Sequence, residues 1–120
     1  MWLTESEIQG AFASVKSAFP RFAKWKHHNE AGESYSGFAL WGEFVPDPTD
    51  RMRRTFFITF SADRTSWTGH LTIGQHSYLW SSADFGDAHL VDTKPCATLE
   101  DAISALKSQM VNVFAALSGP

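Results

Sequence analysis

The chain has few of the features that stabilise small secreted domains or anchor proteins in membranes. Among its 120 residues there is one cysteine, Cys96, so no disulfide can form within the chain. No apolar run approaches the roughly 18 residues of a membrane span, and no basic segment followed by an apolar run marks a targeting signal at the start. We therefore expect a soluble cytoplasmic protein with no membrane partner.

Positive charge is also scarce. Ten Lys and Arg residues against 13 Asp and Glu give a formal net charge of −3. Nucleic-acid binding requires a clustered surplus of cations to neutralise phosphates, so we expect no nucleic-acid partner. The cations are nevertheless concentrated before Thr65, where eight of the ten occur: Lys16, Arg21, Lys24, Lys26, Arg51, Arg53, Arg54 and Arg64.

Motifs typical of catalysis are missing as well. No GxSxG or CxxC sequence accompanies a nucleophile, and Cys96 stands alone. Residues 84–86 spell the DFG triplet of protein kinases, but the glycine-rich loop and the HRD segment of a kinase are absent. The sequence therefore favours a protein without catalytic residues, and we expect it to bind rather than to catalyse.

Five histidines invite a metal hypothesis. His27 and His28 are adjacent, so on a strand they point to opposite faces. His70 and His89 could share a face if the last strand lies near the strand of His70. A zinc site needs three or four ligands, however, and neither HExxH nor CxxC spacing is present. We predict no metal site and no cofactor.

Residues 55–80 organise the predicted fold. Phe56, Ile58 and Phe60 alternate with Thr55, Phe57, Thr59 and Ser61, which is the period of a half-buried strand. Residues 67–73 alternate in the same way and are followed by Gly74-Gln75, a pair suited to a hairpin turn. This predicts a further strand over residues 76–80, with Leu71 opposite Tyr78. A final short strand over residues 87–92 is predicted to place Ala88 and Leu90 on one side and His89 and Val91 on the other.

Amphipathic helices are predicted at both ends of the chain. Thr4 and Glu7 form a capping box that starts the first helix at about Glu5, and Thr98 with Asp101 caps the last helix. Each helix repeats apolar residues at three and four positions, which predicts one buried stripe. The sequence thus predicts a single two-layer α+β domain over residues 1–120. Its five- or six-stranded antiparallel meander packs the N-terminal and C-terminal helices on one face.

The other sheet face carries the functional hypothesis. Large apolar groups among hydroxyl-bearing neighbours are typical of a contact surface, and Trp and Arg dominate interface energetics. The predicted partner-binding residues are Trp41, Phe57, His70 and Leu79 on this face, with Arg51, Arg53 and Arg54 in the adjacent loop. The hypothesis is a protein-binding module of the inhibitor, immunity-protein or adaptor type. Its partner would be another protein, or a second copy of this chain as a homodimer.

The alternative is a small-molecule-binding protein or minor enzyme. Its pocket would lie between the helices and the sheet, near Trp67, His76, Tyr78 and Trp80. A deep cavity at those residues would favour this alternative.

Overall fold

A computed structural model describes residues 3–31, 36–63, 65–75 and 88–119. In chain order they form α1 (Glu5–Ala18), β1 (Ala23–Ala31), β2 (Ser36–Phe44), β3 (Arg54–Ala62), β4 (Trp67–Gln75), β5 (Ala88–Asp92) and α2 (Leu99–Ser118). The described strands make one antiparallel sheet whose spatial order, β1-β2-β3-β4-β5, is also the chain order. The predicted two-layer α+β meander is confirmed, with five strands.

Both helices begin at the predicted caps. The Thr4 hydroxyl accepts a hydrogen bond from the Glu7 amide at 3.2 Å, and the Glu7 carboxylate accepts one from the Thr4 amide at 2.9 Å. The Thr98 hydroxyl accepts the Asp101 amide at 3.1 Å. These bonds satisfy amides that have no partner within the first helical turn. The helix starts are therefore local features that the sequence predicts.

One face of the sheet forms the core together with both helices. Alternate residues of β2, β3 and β4 are fully buried there, as their spacing predicts: Phe38, Leu40, Ile58, Phe60 and Leu71. Ile8, Ala11 and Val15 of α1 and Leu99, Ala102, Ile103 and Leu106 of α2 belong to the same cluster. Burying each large apolar side chain stabilises the fold by about 1.5–3 kcal/mol. Both helices thus lie on one face, which leaves the opposite face, called the open face below, for other contacts.

The predicted hairpin turn at residues 74–75 is a strand instead. Both residues continue β4 and pair with the first two residues of β3. On the other edge of β4, Leu71 pairs with Val91 of β5, so the predicted pairing of Leu71 with Tyr78 is wrong. The nine-residue β3 offers hydrogen-bond partners to both turn residues, and the longer ladder replaces the turn. The predicted strand over residues 76–80 lies outside the described residues.

Gly42 is a packing constraint in β2. A Cβ atom at this position would lie 2.6–2.8 Å from ring atoms of Trp25, closer than atoms can approach without displacement. We expect Gly42→Ala to destabilise the fold by about 1–3 kcal/mol, because the indole must move within the packed layer. Chemical denaturation measures the loss.

The matched control is Gly10→Ala on the exposed side of α1, where a Cβ meets nothing within 4 Å. Alanine there should stabilise the helix by about 0.5–1 kcal/mol. A Gly42→Ala variant as stable as the wild type would contradict the described packing of Trp25.

Candidate functional site

The open face is ordered into rows by the strand register. One row runs from Lys26 of β1 through Trp41, Thr59 and His70 to Asp92 of β5, each residue directly opposite the next. Directly opposed residues point to the same side of a sheet. We call this line of side chains the central row. It places Trp41 and His70 on one face, about 10 Å apart across two strand spacings.

A second row lies beside it and holds Phe57. Glu43, Phe57, Thr72 and His89 are paired in this order across β2 to β5. Phe57 is two residues along β3 from Thr59 and is diagonal to Trp41, within reach of a large side chain. Phe57 and Trp41 are both half-buried.

The structure therefore brings Trp41, Phe57 and His70 together on one face, while Leu79 lies outside the described residues. The face is not uniformly exposed, because Thr55 and Thr72 are buried on it. The exposed residues are Lys26 and Asp92 at the ends of the central row and His89 at one end of the second row, while Trp41, Thr59 and His70 are half-buried. Binding of a partner by these residues stays a prediction.

Of the arginines predicted beside this face, Arg51 and Arg53 lie at the end of the loop between β2 and β3, and Arg54 is the first residue of β3. Arg51, Arg53 and Arg54 are all exposed. Asp50 holds the end of this loop, since its carboxylate accepts the Arg54 Nε–H at 2.7 Å, the Met52 amide at 3.0 Å and the Arg54 amide at 3.2 Å. The loop therefore has a defined shape at the point where its cations are presented.

A cluster of two histidines and an aspartate lies at the other end of the rows. The Nδ1 atoms of His70 and His89 lie 2.6 Å and 3.1 Å from the same oxygen, Oδ1 of Asp92. The two imidazole rings meet edge to face, with centroids 5.9 Å apart. We call these three residues the His-Asp cluster.

A β-bulge in β5 creates this cluster. Thr72 pairs with His89 and Leu71 pairs with Val91, so Leu90 is an extra residue without a partner in β4. In a regular strand, residues three apart point to opposite faces. Because of the bulge, His89 and Asp92 lie on the same face of the sheet. The sequence did not predict this arrangement.

The same bulge corrects the predicted alternation of β5. His89 and Val91 were predicted to share one side, but Val91 is buried at 5% exposure, whereas His89 is exposed and Leu90 is 39% exposed. The inserted residue shifts the pleat by one position, so every residue after it changes side. No Gly or Pro marks the bulge in residues 88–92, and the sequence holds no local signal for it.

Two effects of opposite sign set the pKa of Asp92. Burial raises the pKa of the Asp92 carboxyl, but the hydrogen bonds from His70 and His89 and the electrostatic attraction of these two residues together lower it by more. The net pKa lies below the ordinary value, so Asp92 is an anion at neutral pH. The cluster thus combines one negative oxygen donor with two imidazoles.

Two apolar clefts lie under the second half of α2. One, of about 240 Å³, is lined by Phe22, Phe44, Phe56, Leu71, Met110 and Phe114. The other, of about 300 Å³, is lined by Phe19, Lys107, Met110, Val111 and Phe114. Neither is lined by Trp67, whose ring packs edge-on against Phe38. His76, Tyr78 and Trp80, the other residues of the predicted pocket, lie outside the described residues.

Comparison of the chain with protein-family models, with curated proteins and with solved structures finds no match. Within the described residues, no helix is both long enough and apolar enough to cross a membrane. The function is therefore inferred from the chemistry of the surfaces described above.

Asp50 makes the loop sensitive to acid. The hydrogen bond from the Arg54 side chain, assisted by the Met52 amide, lowers the pKa of Asp50 from 3.8 to about 2. A carboxyl with a lowered folded-state pKa stabilises the fold above its unfolded pKa and loses that contribution as the pH falls through the folded value. We expect the wild type to lose this stabilisation as the pH drops from 3.8 towards about 2.

Chemical denaturation at a series of pH values measures this effect. Asp50→Asn should lower stability at neutral pH and flatten the acid dependence over that range. Arg54→Gln should reproduce part of the loss, whereas Arg51→Gln, on the same loop, should not. Equal acid dependence in wild type and Asp50→Asn would show that this carboxylate does not stabilise the folded loop.

Proposed function

We propose that this chain is a small cytoplasmic protein-binding module of the inhibitor, immunity-protein or adaptor type. It contacts an acidic surface of a partner protein through its open face. The observation that supports the proposal most directly is the position of Trp41, a half-buried indole in the central row of a five-stranded sheet. A protein that binds through such a surface can block the functional site of its partner and needs no catalytic groups of its own.

Trp41 has the surroundings of an interface anchor. Its direct neighbours across the sheet are Lys26 and Thr59, one charged and one hydroxyl-bearing. Interfaces commonly place a large aromatic residue at the centre and polar groups around it, because the polar groups exclude water and satisfy hydrogen bonds at the rim. Phe57 extends the apolar centre towards the second row.

The charges beside Trp41 favour an acidic partner. Lys26 is exposed at one end of the central row, and Arg51 and Arg53 are exposed on the neighbouring loop. Lys24 is also largely exposed, although it contacts the Glu43 carboxylate at 3.4 Å. Arg54 contacts Asp50 at 2.7 Å and alternates with Thr55, so it lies on the helix side of the sheet. Clustered cations at the rim raise the association rate with a partner of opposite charge. Binding should therefore weaken as the salt concentration rises.

Substitution of the anchor tests this proposal. Trp41→Ala should weaken binding of the partner by about 2 kcal/mol or more, roughly thirtyfold, because a central Trp contributes a large share of interface energy. Phe57→Ala should weaken it less. Affinity capture followed by titration of the captured protein, at low and high salt, measures both effects.

The control is Leu117→Ala, which removes an apolar side chain, 76% exposed on α2, from the opposite side of the sheet. The Trp41→Ala and Leu117→Ala variants should both unfold cooperatively, although Trp41→Ala loses the stabilisation of its half-buried indole. Capture that is unchanged in Trp41→Ala, or that is lost equally in Leu117→Ala, would overturn the proposal. Analytical ultracentrifugation of the free protein identifies the case in which the captured partner is a second copy of the chain.

The clefts under α2 support a second candidate function, the binding of a small apolar ligand. Their linings are rich in aromatic and aliphatic side chains, which suit the apolar surface of a ligand. This site differs from the pocket predicted near Trp67. A ligand there would not compete with a protein on the open face.

Met110 lines both clefts and provides the test for the second candidate. Anilinonaphthalene sulfonate should fluoresce strongly with the wild type, because the dye becomes bright when it leaves water. Met110→Trp should fill the clefts and remove most of the signal, while Trp41→Ala should keep it. A weak signal with wild type, or one that Met110→Trp leaves unchanged, would exclude the clefts as a ligand site.

A further inference from the structure

The His-Asp cluster has the composition of a metal site. His70, His89 and Asp92 each offer one ligand atom, and the three atoms lie within 4.8 Å of one another. Two come from β5 and one from β4, which are paired strands of one sheet. Their relative positions are therefore set by backbone hydrogen bonds rather than by a flexible loop.

We propose that His70, His89 and Asp92 bind a divalent transition metal ion of the zinc type. Two imidazoles and a carboxylate are a donor set that this class of ion takes, whereas calcium and magnesium prefer oxygen ligands alone. The ion would lie on the open face, at the end of the central row.

The distances fit this class of ion. Zinc binds nitrogen and oxygen at about 2.0–2.2 Å, so tetrahedral ligand atoms lie about 3.3 Å from one another. Oδ1 of Asp92 lies 2.6 Å from Nδ1 of His70 and 3.1 Å from Nδ1 of His89. These two contacts are hydrogen bonds, so the ion would replace them: each imidazole would bind through Nδ1 with its proton on Nε2, and the ligand atoms would move apart to the wider spacing.

The exposure of the cluster decides what kind of metal site it forms. The side chains of His70, His89 and Asp92 are 28%, 57% and 50% exposed. Structural zinc sites are closed by four protein ligands, while sites with three leave a coordination position open. This site has three ligands from the described chain and faces solvent, so water completes the coordination and the ion exchanges readily.

The neighbouring residues hold the ligands in place. His70 lies between Thr59 and Asp92 in the central row, and His89 lies opposite the buried Thr72. The edge-to-face contact of the two imidazoles limits the rotation of both rings. Ligands held by packing lose less conformational freedom when the ion binds.

Isothermal titration calorimetry with zinc chloride tests the proposal. One equivalent of zinc should bind to the wild type. Removal of a ligand in His89→Ala, or of its charge in Asp92→Asn, should weaken zinc binding by about tenfold or more, since even outer partners of metal ligands contribute 10–100-fold. Cobalt chloride should give the visible absorption of a cobalt ion with imidazole ligands, and both variants should lose it.

Two control variants show whether zinc binding depends on the His-Asp cluster rather than on another histidine or on the partner-binding residues. His28→Ala removes an exposed histidine of β1, outside the cluster, and should keep wild-type zinc affinity. Trp41→Ala should also keep it, so this test is independent of the proposed partner-binding role. His89→Ala leaves the core intact because His89 is exposed, and a wild-type denaturation midpoint verifies this.

The proposal is overturned if the wild type binds no zinc under these conditions, or if His89→Ala and Asp92→Asn bind it as tightly as the wild type. In the first case the three residues form a hydrogen-bonded cluster only. In the second, zinc binds elsewhere on the chain.

Discussion

The antiparallel register of the sheet is the constraint on which the rest of the structure depends. In β2, β3 and β4, alternate side chains are committed to the core with both helices, so the remaining side chains of these strands must form the open face. A shift of one residue between neighbouring strands would move a whole apolar set into solvent. The pairing of Leu40 with Phe60, and of Ile58 with Leu71, is therefore fixed by burial. The same pairing aligns Trp41, Thr59 and His70 on the opposite side.

Features that depend on a few adjacent residues were predicted from the sequence. The Thr4 capping box, the Thr98 cap and the inward set of β3 each follow from local hydrogen bonding or from period-two alternation. Features that depend on a distant strand were not predicted correctly. The Gly74-Gln75 pair is compatible with a turn, but β3 is long enough to extend the ladder through it. Competition between a local turn and a distant partner cannot be decided from the local sequence.

The candidate surfaces also combine features that the local sequence predicts with features that depend on a distant strand. Alternation predicted that Trp41 and Phe57 leave the core side, but their spacing on the face depends on register. The His-Asp cluster was missed because strict alternation separates His89 from Asp92, and only the unpaired Leu90 brings them together. The pocket near Trp67 stays a prediction, because its other three residues lie outside the described residues. The described clefts lie under the second half of α2, where that helix leaves the closely packed part of the core. Such gaps depend on helix length and angle, which composition does not encode.

The two outer strands of the described sheet share one further feature. Both are irregular, β5 at Leu90 and β1 between Ala23 and Lys26, where Lys24 has a positive φ of 56°. Outer strands with free backbone groups are templates for the addition of foreign strands, and bulges with charged residues interrupt that template. The described edges are thus poor starting points for amyloid-like growth or for strand exchange between copies. Association with other molecules is left to the faces, where side chains rather than backbone amides determine which molecule is accepted.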